Sequence, residues 1–350
     1  MAKQPDHDIK PDAAMNKRGV SHAPPLAAPT ITRHNLPPPP AASVMASMSW
    51  SPFSDRRMPD RGLSSRHPGR FNIECIVMRV VCCLLLLLAS QSALAEGFIS
   101  RLLNHPVPGG VAVIPLGASP TAPTARYHDK PVLVVREDNQ WIAIVGISLK
   151  SMPGAQQLNT GDGRTLGFTV TPKHYREQHI KLKNSRQVNP LAEDMTRINR
   201  ELAEQTRAYQ TFSPNQPSNL MFDKPVNGPL SSPFGLRRFF NGEERNPHSG
   251  LDFAVGAGTP IKSPAAGKVI LIGNYFFNGN TVFVDHGQGL ISMFCHMSKI
   301  DVKLGQRLQR GGIVGRVGST GRATGPHMHW NVSLNDTRVD PAIFIGAFKP

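Results

Sequence analysis

The sequence predicts a mainly β protein: a small N-terminal β-sandwich-like domain, a linking helix, and a C-terminal antiparallel β-fold domain. Two observations predict it. Short β-rich runs between turn residues fill two stretches of the chain, and one segment between them carries helical periodicity. Of the 4 cysteines only Cys295 lies beyond residue 95, so the folded part has no internal disulfide and no cysteine metal cage. Its stability must come from a hydrophobic core.

Residues 1–77 are rich in proline and polar residues, with Pro37 to Pro40 in one run. Such a stretch buries too little apolar surface to fold and reads as disordered. Met78-Arg79 then gives a short positive start, Val80 to Ala89 is apolar, and Ala93-Leu94-Ala95 is a small-residue cleavage site ahead of Glu96. That layout over 78–95 is a secretory signal peptide, and its apolar run falls short of the ~20 residues a membrane span needs. Met78 is therefore the expected true start. The mature chain is expected to be exported, to periplasm or cell envelope, with no stable membrane span after signal cleavage.

Over 96–184, Gly110 to Leu116, Pro131 to Val135, Trp141 to Leu149, Thr165 to Val170 and His179 to Leu182 read as strands of a small sandwich. His105, His128, His174 and His179 have no partner spacing there and read as surface or packing residues. Asn189-Pro190 breaks the β pattern, and 185–218 reads as a helical linker. Leu191, Met195, Ile198, Leu202 and Tyr209 fall near one helix face, an apolar stripe expected to pack on a domain. Over 219–350 strands return at Gly267 to Ile272, Thr281 to Val284, Leu290 to Phe294, Gly312 to Val317 and His329 to Val332. Asp285 to Gly289 reads as a hairpin loop, and no helical pattern interrupts this region.

Lysine plus arginine exceed aspartate plus glutamate, 39 against 24, for a formal charge of +15. The charge is scattered, without a basic block interleaved with aromatics, which argues against nucleic acid as a partner. It suits contact with an acidic envelope.

The chemistry lies in the last third. His248-Ser-Gly-Leu-Asp252 comes first, then His296, then His327-Met-His329. Hydrolytic zinc takes three protein ligands and keeps a fourth position for water. Strand residues two apart share a face, so His327 and His329 look into one groove, where one can hold metal while the other meets substrate. Cys295 beside His296 suggests a Cys-His nucleophile, but strand neighbours are expected to face opposite ways. His286, at the expected hairpin tip, reads as structural.

Phe234-Gly-Leu-Arg, His248-Ser-Gly-Leu-Asp252-Phe-Ala, Gly258-Thr-Pro, Ala266-Gly-Lys-Val, Phe294-Cys-His296-Met and Thr320-Gly-Arg-Ala-Thr-Gly-Pro-His327-Met-His329 occur in one order. In that order the segment Pro229 to Ile345 resembles the LytM/lysostaphin-type zinc metallopeptidases, peptidoglycan endopeptidases of the duplicated-hybrid-motif fold. Gly109 to about Leu182 resembles the N-terminal β-domain that accompanies this peptidase in some cell-envelope members. The resemblance implies one zinc ion (Zn2+) per chain, held by His248, Asp252 and His329, with His296 and His327 as the catalytic pair. It implies hydrolysis of peptide bonds in peptidoglycan cross-links or stem peptides, and leaves room for a regulatory protein partner. The family usually has tyrosine at Phe294 and leucine at Met297, so one substrate contact is in question.

Three other readings compete. Some relatives have lost ligands and act as non-catalytic activators of other wall hydrolases, but all five positions are present here. Ala265-Ala-Gly-Lys-Val and Val302 to Gly311 echo biotinyl or lipoyl carriers, without a lysine centred between matched halves. The glycine run Gly311 to Gly325 lacks the Gly-Lys-Ser/Thr ending of a phosphate loop. Because an unregulated wall hydrolase endangers its own cell, the N-terminal domain or the helix is expected to cover the groove.

Overall fold

Alternating apolar residues build the first sheet and bury both its faces. Val111–Gly117, Gln140–Gly146 and Leu133–Glu137 pair antiparallel in that spatial order. Successive strand side chains point to opposite faces. Ala112, Ile114, Val134, Ala143 and Val145 therefore meet a second sheet through Ala125, Tyr127, Leu158 and Val170. That sheet runs Lys130–Pro131, Ala125–Tyr127, Gly154–Thr160, Thr165–Val170, which completes the two-layer sandwich. The structure, a computed structural model, describes residues 97–182, 186 and 188–350. The expectations for 1–77 and for the signal peptide 78–95 lie outside the described residues.

Val111, Val113, Leu133, Ile142 and Ile144, on the opposite face, join the core of the C-terminal sheet beside Trp330, Val332 and Leu334. The join is polar at its edge. The Asn335 side chain accepts from Gly146 N at 2.7 Å and donates to Gly146 O at 3.1 Å. A Cβ at Gly146 would lie 2.9 Å from Leu334 Cβ, so only glycine lets the two backbones come this close. Gln288 likewise accepts from Val134 N at 3.0 Å.

The C-terminal sheet runs Arg307–Leu308, Gly267–Tyr275, Gly279–Gly287, Leu290–Met297, Met328–Leu334, Leu251–Phe253, Leu230–Ser232, with Thr337–Val339 on the edge of Met328–Leu334. Asp285 to Gly289 is tighter than the expected loop. The strands run through Gly287 and resume at Leu290, leaving only Gln288 (φ 46°) and Gly289 (φ 77°) to turn, the backbone of a type I′ hairpin. His286 is consequently a strand residue, 4% exposed, between Ala266 O (2.8 Å) and Ser292 Oγ (2.9 Å). Its role is structural.

Three further expectations need correction. The strand Glu177–Ile180 leaves the sandwich and pairs parallel with Arg237–Phe240, because its alternating polar residues have no sandwich face to fill. The helix Ala192–Tyr209 docks by Asp194, Ile198, Glu201, Ala208 and Tyr209, leaving Leu191, Met195 and Leu202 exposed. Polar demand overrides the apolar stripe: Glu201 Oε2 accepts from Phe276 N at 2.7 Å, a hairpin-tip amide outside the ladder. A short buried helix, Pro341–Phe344, interrupts the C-terminal region; at four residues it is too short to show a period, and Asp340 caps it from Ala342 N at 2.9 Å. Among the described residues no helix is long and apolar enough to cross a membrane.

Burial, opposed by the bond to Ala266 O, pushes the His286 imidazole down to about 4. Between pH ~6.5 and about 4 the unfolded chain therefore binds a proton that the folded chain refuses, so stability falls as pH drops through that window. The loss reaches on the order of 3 kcal/mol at its foot. Urea unfolding at pH 7 and pH 4.5 should show a smaller acid loss for His286→Gln than for the parent chain.

Candidate metal centre

Strand pairing brings distant residues together. In the antiparallel register Asp252 lies opposite His329, so their side chains share the sheet face that lines a groove of about 960 Å³. His248 enters from a loop pinned on both sides, His248 N to Leu236 O at 2.9 Å and Gly235 N to His248 O at 2.8 Å. The result is a cluster of three: His248 Nε2 to Asp252 Oδ1 is 3.0 Å, His329 Nδ1 to Asp252 Oδ1 is 2.7 Å, and His248 Nε2 to His329 Nδ1 is 3.1 Å.

Each imidazole spends its proton facing away from that cluster. His248 Nδ1 donates to Pro233 O at 2.7 Å, and a carbonyl can only accept, so Nε2 is left with a lone pair. His329 Nε2 donates to Asn331 Oδ1. Asn331 is held in that sense because its amide nitrogen donates to Ser249 O (2.9 Å) and Ser249 Oγ (2.8 Å). Burial, against the pull of the Asp252 carboxylate, pushes His248 down to about 4 and keeps the ring neutral. For Asp252, burial works to raise the carboxyl, and the bonds and charges of His248 and His329 outweigh it and hold it well below the usual range.

Two imidazole nitrogens and a carboxylate oxygen thus converge on one point. Metal–ligand distances of ~2.0–2.1 Å set tetrahedral edges at about 3.3 Å, close to the spacings found. The three residues fit a divalent metal ion.

Two more imidazoles line the same groove. His296 Nδ1 donates to Thr320 O at 2.7 Å and His327 Nδ1 to Gly325 O at 2.9 Å, which leaves the Nε2 side of each ring without a backbone partner named here. Burial and the neighbouring His329 push His296 down to about 3. The two rings lie 5.0 Å apart, and His327 Nε2 is 3.9 Å from Asp252 Oδ1. His296 reaches the groove through a left-handed backbone, φ 58°, a conformation costly for a non-glycine residue.

That turn overturns the expectation that Cys295 and His296 face opposite ways. Cys295 lies opposite His329 in the register and so shares its face, and the turn at His296 breaks the alternation. Cys295 is nonetheless buried at 1% exposure against Tyr209, Phe283 and Met293, and burial pushes its thiol up. It is no thiolate nucleophile.

The structure brings together all five residues singled out from the sequence. Sequence reasoning missed Asn331, which was legible two residues beyond His329 on one strand face. It also missed Arg238 and the helix residues Glu201 and Gln205 on the groove wall, which had no local signal.

A β-groove with a three-donor metal set and two spare imidazoles is the class of site that metal-dependent hydrolases use. Residues 246–341 match Peptidase family M23, and residues 104–173 match the Peptidase family M23 N-terminal domain. A solved peptidase M23 structure from Pseudomonas aeruginosa is 64% identical, covering 72% of this chain and 100% of that one, with a TM-score of 0.63. The chain belongs to peptidase family M23. Peptidoglycan DD-endopeptidase ShyA of Vibrio cholerae is 41% identical over 112 residues, 32% of this chain and 26% of its own. DD-carboxypeptidase/endopeptidase Mpg of Neisseria meningitidis serogroup B is 36% identical over 112 residues, again 32% and 26%. The chain thus spans about a quarter of the length of these curated relatives.

Asn331 fixes the tautomer of His329, the work that partners of metal-bound histidines do. Asn331→Ala should weaken metal binding by about 10–100-fold, read by competition with a chromophoric chelator.

Proposed function

We propose that the protein is a zinc-dependent endopeptidase that hydrolyses peptide bonds in bacterial peptidoglycan cross-links or stem peptides. The observation that carries this is the convergence of His248, Asp252 and His329 at 2.7–3.1 Å beside the imidazoles of His296 and His327 in one groove. The names of the curated relatives ShyA and Mpg support the substrate class. We also propose the division into an N-terminal β-domain over 96–184, a helical linker over 185–218 and a peptidase domain over 219–350. Export to periplasm or cell envelope follows from where that polymer lies.

His248, Asp252 and His329 would hold one zinc ion, which supplies Lewis-acid polarisation of the scissile carbonyl and a water of lowered pKa. His296 and His327 would serve as the proton-transfer pair, each ring oriented by the bond from its Nδ1 to a backbone carbonyl. The imidazole that takes the proton from water becomes the cation that can hydrogen-bond the oxyanion and protonate the leaving amine. A non-catalytic activator role would go with a lost ligand, and no position of the five is lost.

The helix Ala192–Tyr209 forms one wall of the groove and is fastened to the hairpin tip by Glu201 and by Gln205 Oε1, which accepts from Asn278 Nδ2 at 2.7 Å. We read it as a cover that restrains activity.

Two substitutions separate the roles of the His-x-His pair. His329→Ala should lose metal and activity together. His327→Ala should keep its metal by elemental analysis yet lose turnover by about 10²–10⁴-fold on defined muropeptides read by mass. Loss of metal in His327→Ala would reverse the assignment. The cover is tested by Glu201→Ala combined with Gln205→Ala: release of two hydrogen bonds should raise the hydrolysis rate roughly 5-fold or more. An unchanged or lower rate counts against the restraint.

A further inference from the structure

The two oxygens of Asp252 have different occupations. Oδ1 lies among the donors, 3.0 Å from His248 Nε2 and 2.7 Å from His329 Nδ1. Oδ2 faces away and accepts from Arg238 Nη2 at 3.1 Å. The guanidinium is itself anchored twice more: Nη2 donates to Ser232 Oγ at 3.2 Å, and Nε donates to Gln178 Oε1 at 3.0 Å. Its side chain is 19% exposed, so it is a largely buried cation with a defined partner for each nitrogen named here.

Gln178 does not belong to the metal-site sheet. It sits on Glu177–Ile180, the strand leaving the N-terminal sandwich, which pairs parallel with Arg237–Phe240 and sets Gln178 directly beside Arg238. A segment more than 60 residues upstream of the first donor therefore completes the bracing of that carboxylate.

A carboxylate free at both oxygens can chelate a metal through both, and doing so uses the position that water needs. A carboxylate whose second oxygen is committed to a guanidinium has one oxygen left. We propose that Arg238 is a positioning residue that keeps Asp252 a one-oxygen ligand, and that Gln178 holds Arg238 in that role. The strand after the N-terminal sandwich is then part of the metal centre. The inference rests on the reading that His248, Asp252 and His329 bind a divalent metal, and the test below separates the two.

The probe is Co2+ added to the metal-free full mature chain, read by its visible d–d spectrum and by chelator competition. Wild type should give the intense band of four-coordinate cobalt. Arg238→Met keeps the stem and removes the donors; it should give a weaker, five-coordinate band together with about 10-fold tighter binding, since a second oxygen ligates and a nearby positive charge is gone. Arg238→Lys, which keeps the charge and one donor, should keep the wild-type spectrum. Gln178→Ala, the milder change if Arg238→Met fails to fold, should move both readouts in the same direction by a smaller factor, about 3-fold. An unchanged spectrum or weaker binding in Arg238→Met, or Gln178→Ala indistinguishable from wild type, overturns the inference while leaving the metal reading intact. Identical behaviour of Arg238→Lys and Arg238→Met also overturns it. Absence of Co2+ binding by wild type overturns the metal reading itself.

Discussion

The site depends on one constraint: two imidazole nitrogens and a carboxylate oxygen meet within about 3 Å of one another. Three such atoms at 2.7–3.1 Å from one another in a buried pocket form a group that could hold a metal ion. Most of the surrounding structure keeps the donors in that arrangement. Pro233 O and Asn331 Oδ1 draw the imidazole protons outward, Ser249 orients Asn331, and Arg238 takes the second oxygen of Asp252.

The sheet supplies the precision that such a cluster needs. Asp252, His329 and Cys295 form one row across three neighbouring strands, with Leu251, Trp330 and Phe294 in the adjacent row on the core side. A slip of one residue in any of these pairings would exchange the rows and put an apolar side chain where a donor belongs. Trp330, Phe294 and Leu251 are each 1% exposed or less, so the core fixes the register and the register fixes the donors. The N-terminal sandwich adds to the same frame because its first sheet is buried on both faces.

What was legible in the sequence divides along the same line. The strands rich in Val and Ile announced themselves by composition, and the five donor and imidazole positions by spaced blocks. Gly154–Thr160 did not, because its sequence is polar and only Leu158 and Thr160 are buried; it is a strand by virtue of its partner Thr165–Val170. The helix was found in the right place, and two residues of its expected stripe, Ile198 and Tyr209, dock while Leu191, Met195 and Leu202 stay exposed. Its apolar stripe docks only at Ile198 and Tyr209, and between them the hairpin tip at Phe276 to Asn278 donates hydrogen bonds to the helix side, a demand no local pattern on the helix reveals. The left-handed turn at His296 was equally invisible; it goes with bonds that His296 donates to distant carbonyls, from N to Asn278 O and from Nδ1 to Thr320 O.

That choice of helix face bears on how a covered groove could open. Net of solvent, a hydrogen bond contributes only about 0.5–1.5 kcal/mol, so the Glu201 and Gln205 contacts at the hairpin tip can be exchanged for contacts with water or with a polar substrate at small cost. The other end of the helix is held differently. Ala208 and Tyr209 are buried against Phe283, Ile291 and Met293, with the Tyr209 and Phe283 rings edge to face at 4.9 Å. Burial of an aromatic side chain is worth roughly 1.5–3 kcal/mol and has no polar substitute in solvent. The helix is therefore held by hydrogen bonds beside the hairpin tip and by apolar burial at its C-terminal end, two kinds of contact that differ in how readily solvent replaces them.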